Sequence, residues 1–331
     1  MIHVLARRIM ILIPMLFALS VIIFAVIELP PGDYLTTYIA AMESRGLQAD
    51  EAEISRIQRL YALDRPMYVR YVRWISGFLR GDLGRAMATE YAGKRVTDIL
   101  AERVPLTMGI ALVSTILVWA IAVPIGIHSA THQYSAADYF FTFVGFFGLA
   151  VPNFLFAIVL MWVVYDFTGF GITGLFSLKY HDAPWSLAKL ADLLKNVWVP
   201  LLVLATAGTA GMIRIVRGNM LDELHQPYVE TARAKGLSER RLLWKYPIRI
   251  TFNPVVSTIG WMLPAMVGGE VLVAIVLNLE TVGPILLEAV LSQDMQLAGS
   301  ILMILSVLTV IGTLISDLGL VWLDPRIRYD A

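Results

Sequence analysis

Apolar stretches alternate with polar segments along the chain, and six of the stretches are long. A hydrocarbon core of about 30 Å takes roughly 20 helical residues. Ile9–Leu29, Leu106–Ile127, Phe140–Tyr165, Leu193–Ile213, Pro254–Leu279 and Ala298–Leu323 meet or approach that length. Thr206, Gly208, Thr209 and Gly211 dilute the fourth, but small residues let neighbouring membrane helices approach closely. The pattern predicts an all-α, polytopic membrane protein with six transmembrane helices. The first stretch follows Ala6, Arg7 and Arg8 and runs about twice the length of a signal-peptide apolar region, with no small-residue cleavage site before "ELPPGD". It reads as an uncleaved anchor.

The polar segments carry patterns of their own. Between the first two spans, "EISRIQRLYAL" sets Ile54, Ile57, Leu60 and Leu63 at helical spacing, and "MYVRYVRWISGFL" does the same with Val69, Val72, Ile75 and Leu79. Two amphipathic helices there form either a small cap or a pair lying on the headgroups. Between the fourth and fifth spans, "LDELHQPYVETARAK" and "SERRLLWKYPI" are short helical patterns separated by Gly236. Glycine suits a left-handed helix C-cap, and Ser238 is a candidate cap for the second helix. Basic residues beside a membrane can simply hold anionic lipid. That does not account for Ala232, Ala234 and Gly236, which leave a bare surface suited to docking another protein. The resulting division is an N-terminal membrane helix (1–29), a helical cap (30–105), a five-helix core (106–323) with a loop at 214–253, and a tail (324–331).

Composition agrees with a membrane protein: of 331 residues 58% are hydrophobic and 16% charged, with a mean hydropathy of +0.70. Net charge is zero, so no global basic or acidic balance points to nucleic acid. The chain has no cysteine, which excludes disulfides and thiolate metal sites. Arg7 and Arg8, eight basic residues from Arg214 to Arg249, and Arg326 with Arg328 fall on one side of a six-span topology. That side is predicted to be cytoplasmic, with both termini on it. The segment 30–105 holds eleven basic and ten acidic residues and falls outside; loops this long escape the charge rule. His3, His128, His132, His181 and His225 have no spacing that assembles a metal site, and no catalytic constellation or H-E-x-x-H motif is present.

Glu230, Ala232 and Gly236 fit the E-A-A-x-x-x-G loop of ABC importer membrane subunits. "YVETARAKGLSERRLL" resembles the version found in the dipeptide and oligopeptide permease family. "LARRIMILIPMLF", "PPGD", "LYALDRPMYVRYVRWISGFLRGDLGRA", "ERVPLT", "VPIGI", "VPNF" and "WLDPRIRY" resemble that family's signatures in order along nearly the whole chain. The resemblance implies a type-1 importer transmembrane domain in the bacterial inner membrane, working by alternating access. It also implies a second homologous permease, two cytoplasmic ATPases and an extracytoplasmic solute-binding protein as partners. Tyr228, Glu230, Ala232, Arg233, Ala234, Lys235 and Gly236 would then be the ATPase-coupling contact. No G-x-x-x-x-G-K-[ST] phosphate loop occurs, so ATP hydrolysis is expected in a partner and no cofactor in this chain. Peptide is the first expectation for solute, with oligosaccharide or another small solute second. A secondary transporter is the more distant reading; it needs ionisable residues at broken helices in repeated halves.

Two departures stand out. "YPIRITF" replaces the family's usual "HALRNAL", and Pro247 is expected to end the second short helix early. "VAIVLNLETVG" places Ala274 at a usual glutamate and Glu280 at a usual proline. Glu270 lies one turn before Ala274 and so on nearly the same face. A carboxyl at that depth either makes a structural hydrogen bond or lines the solute pathway. Asp317 reads as structural, and Asn153, after Pro152, as a partner for backbone freed at the proline.

Overall fold

A computed structural model describes residues 2–29, 34–44, 50–87, 90–169, 171, 173–181, 183–260 and 271–323. Among them the regular structure is helical, with one isolated bridge between Arg85 and Arg95. Three helices are long and apolar enough to span a membrane: Met10–Glu28, Val96–Thr131 and Met295–Leu323. Two bent pairs, Ala136–Ala150 with Asn153–Thr168 and Trp198–Thr206 with Gly208–Leu224, bring the number to five if each pair is one span. Of the remaining predicted span, Pro254–Leu279, the middle part 261–270 lies outside the described residues, between helices Pro247–Ser257 and Val271–Val276.

The third predicted span is not one straight rod. Its two halves meet at 102°. Pro152 cannot donate to a helical ladder and drives the residue before it towards extended backbone, and Val151 takes φ −88°, ψ 122°. Asn153 starts the second half, and no side chain caps that end. The break is therefore not closed by a side-chain hydrogen bond, contrary to the expectation for Asn153.

The structure divides into two compact units, one within Met1–Leu106 and Thr281–Leu308, the other within Thr107–Glu280 and Thr309–Ala331. In the first unit, helix Met67–Leu79 packs on the N-terminal helix. Trp74 is 4% exposed and stacks near Phe24, which meets Tyr71 edge-on at 5.4 Å. The Tyr71 hydroxyl shares a 2.8 Å hydrogen bond with Ser20, and Arg70 pairs with Glu28 at 2.7 Å. The predicted face is thus not the buried one, because Val72 and Leu79 are exposed. Aromatic pairs, worth about 1 kcal/mol each beyond their area, and an ion pair outweigh the aliphatic stripe. In helix Glu51–Tyr61 the side chain of Leu60 lies outside the described residues, and the rest of the pattern packs as predicted. Asp50 accepts from Ala52 N–H at its start, and Ile54, Ile57 and Leu63 join Tyr34, Leu35 and Met87 in one cluster.

Asp294 is fully buried and caps helix Met295–Leu323, accepting from Leu297 N–H at 3.0 Å while its other oxygen takes Met87 N–H at 2.5 Å. Asp294→Ala leaves both donors without that acceptor. A lost cap costs about 1 kcal/mol and a stranded buried N–H about 1–3 kcal/mol, so thermal unfolding of the purified chain should shift down clearly, and less for Asp294→Asn. An unchanged melting temperature for the alanine variant would contradict this role.

In the second unit, helix Trp198–Leu224 is central. Small residues let its neighbours close in, as the diluted fourth stretch suggests. A methyl added at Gly208 would sit 3.1 Å from Val118, one at Gly126 would meet Val216 at 2.7 Å, and Gly148 lies against Thr206 and Ala210. Val118, Ala122, Ala205, Met212, Val216 and Val255 form the shared core.

Candidate functional site, an exposed helical hairpin

The charged loop folds as two short helices, Pro227–Ala234 and Glu239–Lys245. Pro227 opens the first at the position where a missing N–H costs nothing. Gly236 ends it at φ +77°. Leu237 N–H bonds Ala232 C=O at 3.3 Å and Gly236 N–H bonds Arg233 C=O at 2.9 Å. That pair is a Schellman motif, which requires left-handed backbone at Gly236. Ser238 stands at the start of the second helix, but its side chain makes no capping bond there. Pro247 ends the pair and becomes the first residue of helix Pro247–Ser257.

A small core holds the hairpin: Val229, Ala232 and Leu242 are buried, with Tyr228, Leu237, Leu243 and Tyr246 packed around them. Leu243 also belongs to a second cluster, with Ala130, Met220 and Ile248, at the ends of the long helices. The hairpin is thus joined to its base through packed side chains. Across the turn, Arg233 donates to both carboxylate oxygens of Glu239, at 2.6 and 3.2 Å. These hydrogen bonds hold the Glu239 carboxyl below its ordinary range. Both side chains are exposed, so the pair adds little stability. What it adds is present above the ordinary carboxylate pKa and lost as pH falls through the lowered value, so this pair brings no pH dependence near neutrality.

Of the predicted contact residues, Glu230, Arg233, Ala234, Lys235 and Gly236 lie on the exposed side, and Tyr228 is half-buried with its hydroxyl on Glu223. Ala232 corrects the sequence reading. It is 5% exposed and packs inward, because its C=O closes the turn and its methyl meets Val229 and Leu242. Of the three small residues only Ala234 and Gly236 leave a bare surface, and an added Cβ at Gly236 would meet nothing within 4 Å among the described residues. Glu270 lies outside the described residues.

Sequence reasoning missed Asp138. It lies in the first turn of helix Ala136–Ala150, and its side chain is 4% exposed. Arg217 donates to it from Nε at 3.0 Å and from a terminal nitrogen at 2.9 Å. Tyr134 N–H adds a third bond at 3.0 Å. The two residues are 79 apart in the chain, and no local pattern links them. Glu280 likewise meets His181. Among the described residues no group of three metal-ligating side chains assembles.

A helical membrane chain that carries such a hairpin between its fourth and fifth predicted spans has the architecture of a transporter's permease subunit. The chain belongs to the family of binding-protein-dependent transport system inner membrane components, whose sequence model matches residues 122–329. It is 35% identical over 323 residues to the oligopeptide transport system permease protein AppB of Bacillus subtilis (98% of each chain covered). It is 27% identical over 364 residues to the inner membrane ABC transporter permease protein YejB of Escherichia coli O157:H7 (98% of each). The oligopeptide transport system permease protein OppB of Haemophilus influenzae is 26% identical over 324 residues (98% of each).

Proposed function

We propose that this chain is the permease subunit of an ATP-driven peptide importer and that the hairpin transmits the motion of a separate ATPase. A second homologous permease completes the pore, two cytoplasmic ATPases drive it, and an extracytoplasmic binding protein delivers solute. The chain itself holds no cofactor and hydrolyses no ATP. The coupling role rests on one observation: the exposed surface of Glu230, Ala234, Lys235 and Gly236 belongs to a hairpin whose other side is packed into the ends of the long helices. A push on that surface moves the helices, because a close-packed core transmits displacement. Peptide as the solute is supported by the relatives AppB and OppB, which are oligopeptide transport system permease proteins. Deleting the gene should abolish uptake of a labelled oligopeptide and leave oligosaccharide uptake intact; the reverse result would reassign the solute.

In this reading the hairpin and both termini are cytoplasmic, and the segment 30–105 is an outer cap that meets the binding protein. The natural absence of cysteine permits a direct test at two exposed positions, Asp64 and Lys235. An impermeant thiol reagent applied to spheroplasts should label Asp64→Cys at once and Lys235→Cys only after the membrane is broken. Labelling in the opposite order would invert the topology.

A further inference from the structure

We infer that the second helix of the hairpin and the end of helix Val96–Thr131 form a binding site for one anionic phospholipid. A cavity of about 470 Å³ opens between them. Its buried floor is apolar, made by Val123, Ile248 and the partly buried Ile127, Leu243 and Phe252. Of its exposed members Pro124 extends the apolar lining, while Arg240, His128 and Trp244 are of another kind, the last 66% exposed. A second cavity of about 430 Å³ shares Arg240 and Trp244 and adds Arg241 and Lys245. Neither lining contains a carboxylate.

The occupant follows from this division. An apolar slot of that size accepts a length of acyl chain, and three cations beside it accept a phosphate, Arg in fork geometry. The site also lies at the right depth, because the apolar stretch Leu106–Ile127 ends at the cavity, where His128 begins the polar segment. Tryptophan at the rim is characteristic of that level of a bilayer. A free phosphate has no use for the floor, and a neutral lipid has no use for the cations. The site is separate from the exposed Glu230 to Gly236 surface, and the inference needs only that the chain spans the membrane, not the coupling role.

The test is native mass spectrometry of the full-length chain, alone and in the complete transporter, taken from nanodiscs of mixed phosphatidylcholine and phosphatidylglycerol. Each basic residue near an anionic surface contributes on the order of a few-fold in binding, so phosphatidylglycerol should be retained roughly tenfold over phosphatidylcholine. Arg240→Gln with Arg241→Gln should erase the preference while leaving the melting temperature unchanged, since both side chains are exposed. Equal retention of the two lipids, an unaltered preference in the double variant, or displacement of the lipid by free glycerol phosphate would overturn the site. Loss of the bound lipid when the ATPase subunits are added would also overturn it, by making the cavity a socket for protein.

Discussion

Replacing Gly236 with aspartate abolishes solute-stimulated ATP hydrolysis by the assembled transporter, while the permease still folds and reaches the membrane. The change has two separable effects. Gly236 takes φ +77°, and a residue with a Cβ held there costs about 1–2 kcal/mol, with aspartate among those that tolerate the region best. Among the described residues nothing lies within 4 Å of the added Cβ. The turn therefore survives at a modest cost, and the new carboxylate projects from the surface proposed to meet the ATPase. Gly236→Asn adds nearly the same volume without charge and should retain part of the coupling. Normal solute-stimulated hydrolysis in Gly236→Asp would remove the hairpin turn from the coupling contact.

Removing the Arg217 guanidinium should have the largest effect on stability. Arg217→Ala leaves the Asp138 carboxylate, 4% exposed, with Tyr134 N–H and a long bond from Thr142 in place of its counter-ion. Breaking a buried pair on one side costs about 3–5 kcal/mol, because the remaining charge stays desolvated. The 27% exposure of Arg217 puts the expected loss near the lower end, about 3 kcal/mol. Arg217→Met with Asp138→Leu removes both charges and should recover most of the loss. The pair joins helix Ala136–Ala150 to helix Trp198–Leu224, a few residues before the hairpin. Uptake should therefore fall in the single variant beyond what reduced abundance explains. A melting temperature equal to that of the parent chain in Arg217→Ala would contradict the assignment.

The features legible in the sequence are those with a period or a local signature. Spans are visible because helices in lipid must be apolar over a fixed length, and the hairpin because Gly236, Pro227 and Pro247 punctuate it. Which face of a helix is buried depends on what arrives to cover it. For Met67–Leu79 the cover is Phe24 and Glu28 on a distant helix, so aromatic and ionic partners displaced the aliphatic stripe as the packed face. Ala232 and Ala234 look alike in the sequence, two residues apart on a short helix. Only the position of the second helix turns one inward and leaves the other exposed. Pro152 announced a break but not its angle, since a proline fixes its own φ and leaves the packing of both halves to set the 102° turn. Asp138 has no local signal in the sequence, because its partner lies 79 residues away.

If this chain is the membrane part of a binding-protein-dependent importer, its motor is a separate ATPase that docks on the hairpin. Affinity purification of the tagged chain from membranes in which the candidate ATPase subunits are co-expressed, followed by assay of ATP hydrolysis, measures that docking. The ATPases should copurify with the parent chain and be lost with a variant lacking residues 227–246, and the chain alone should hydrolyse no ATP. Hydrolysis by the isolated chain, or full recovery of the ATPases with the hairpin deleted, would contradict this arrangement.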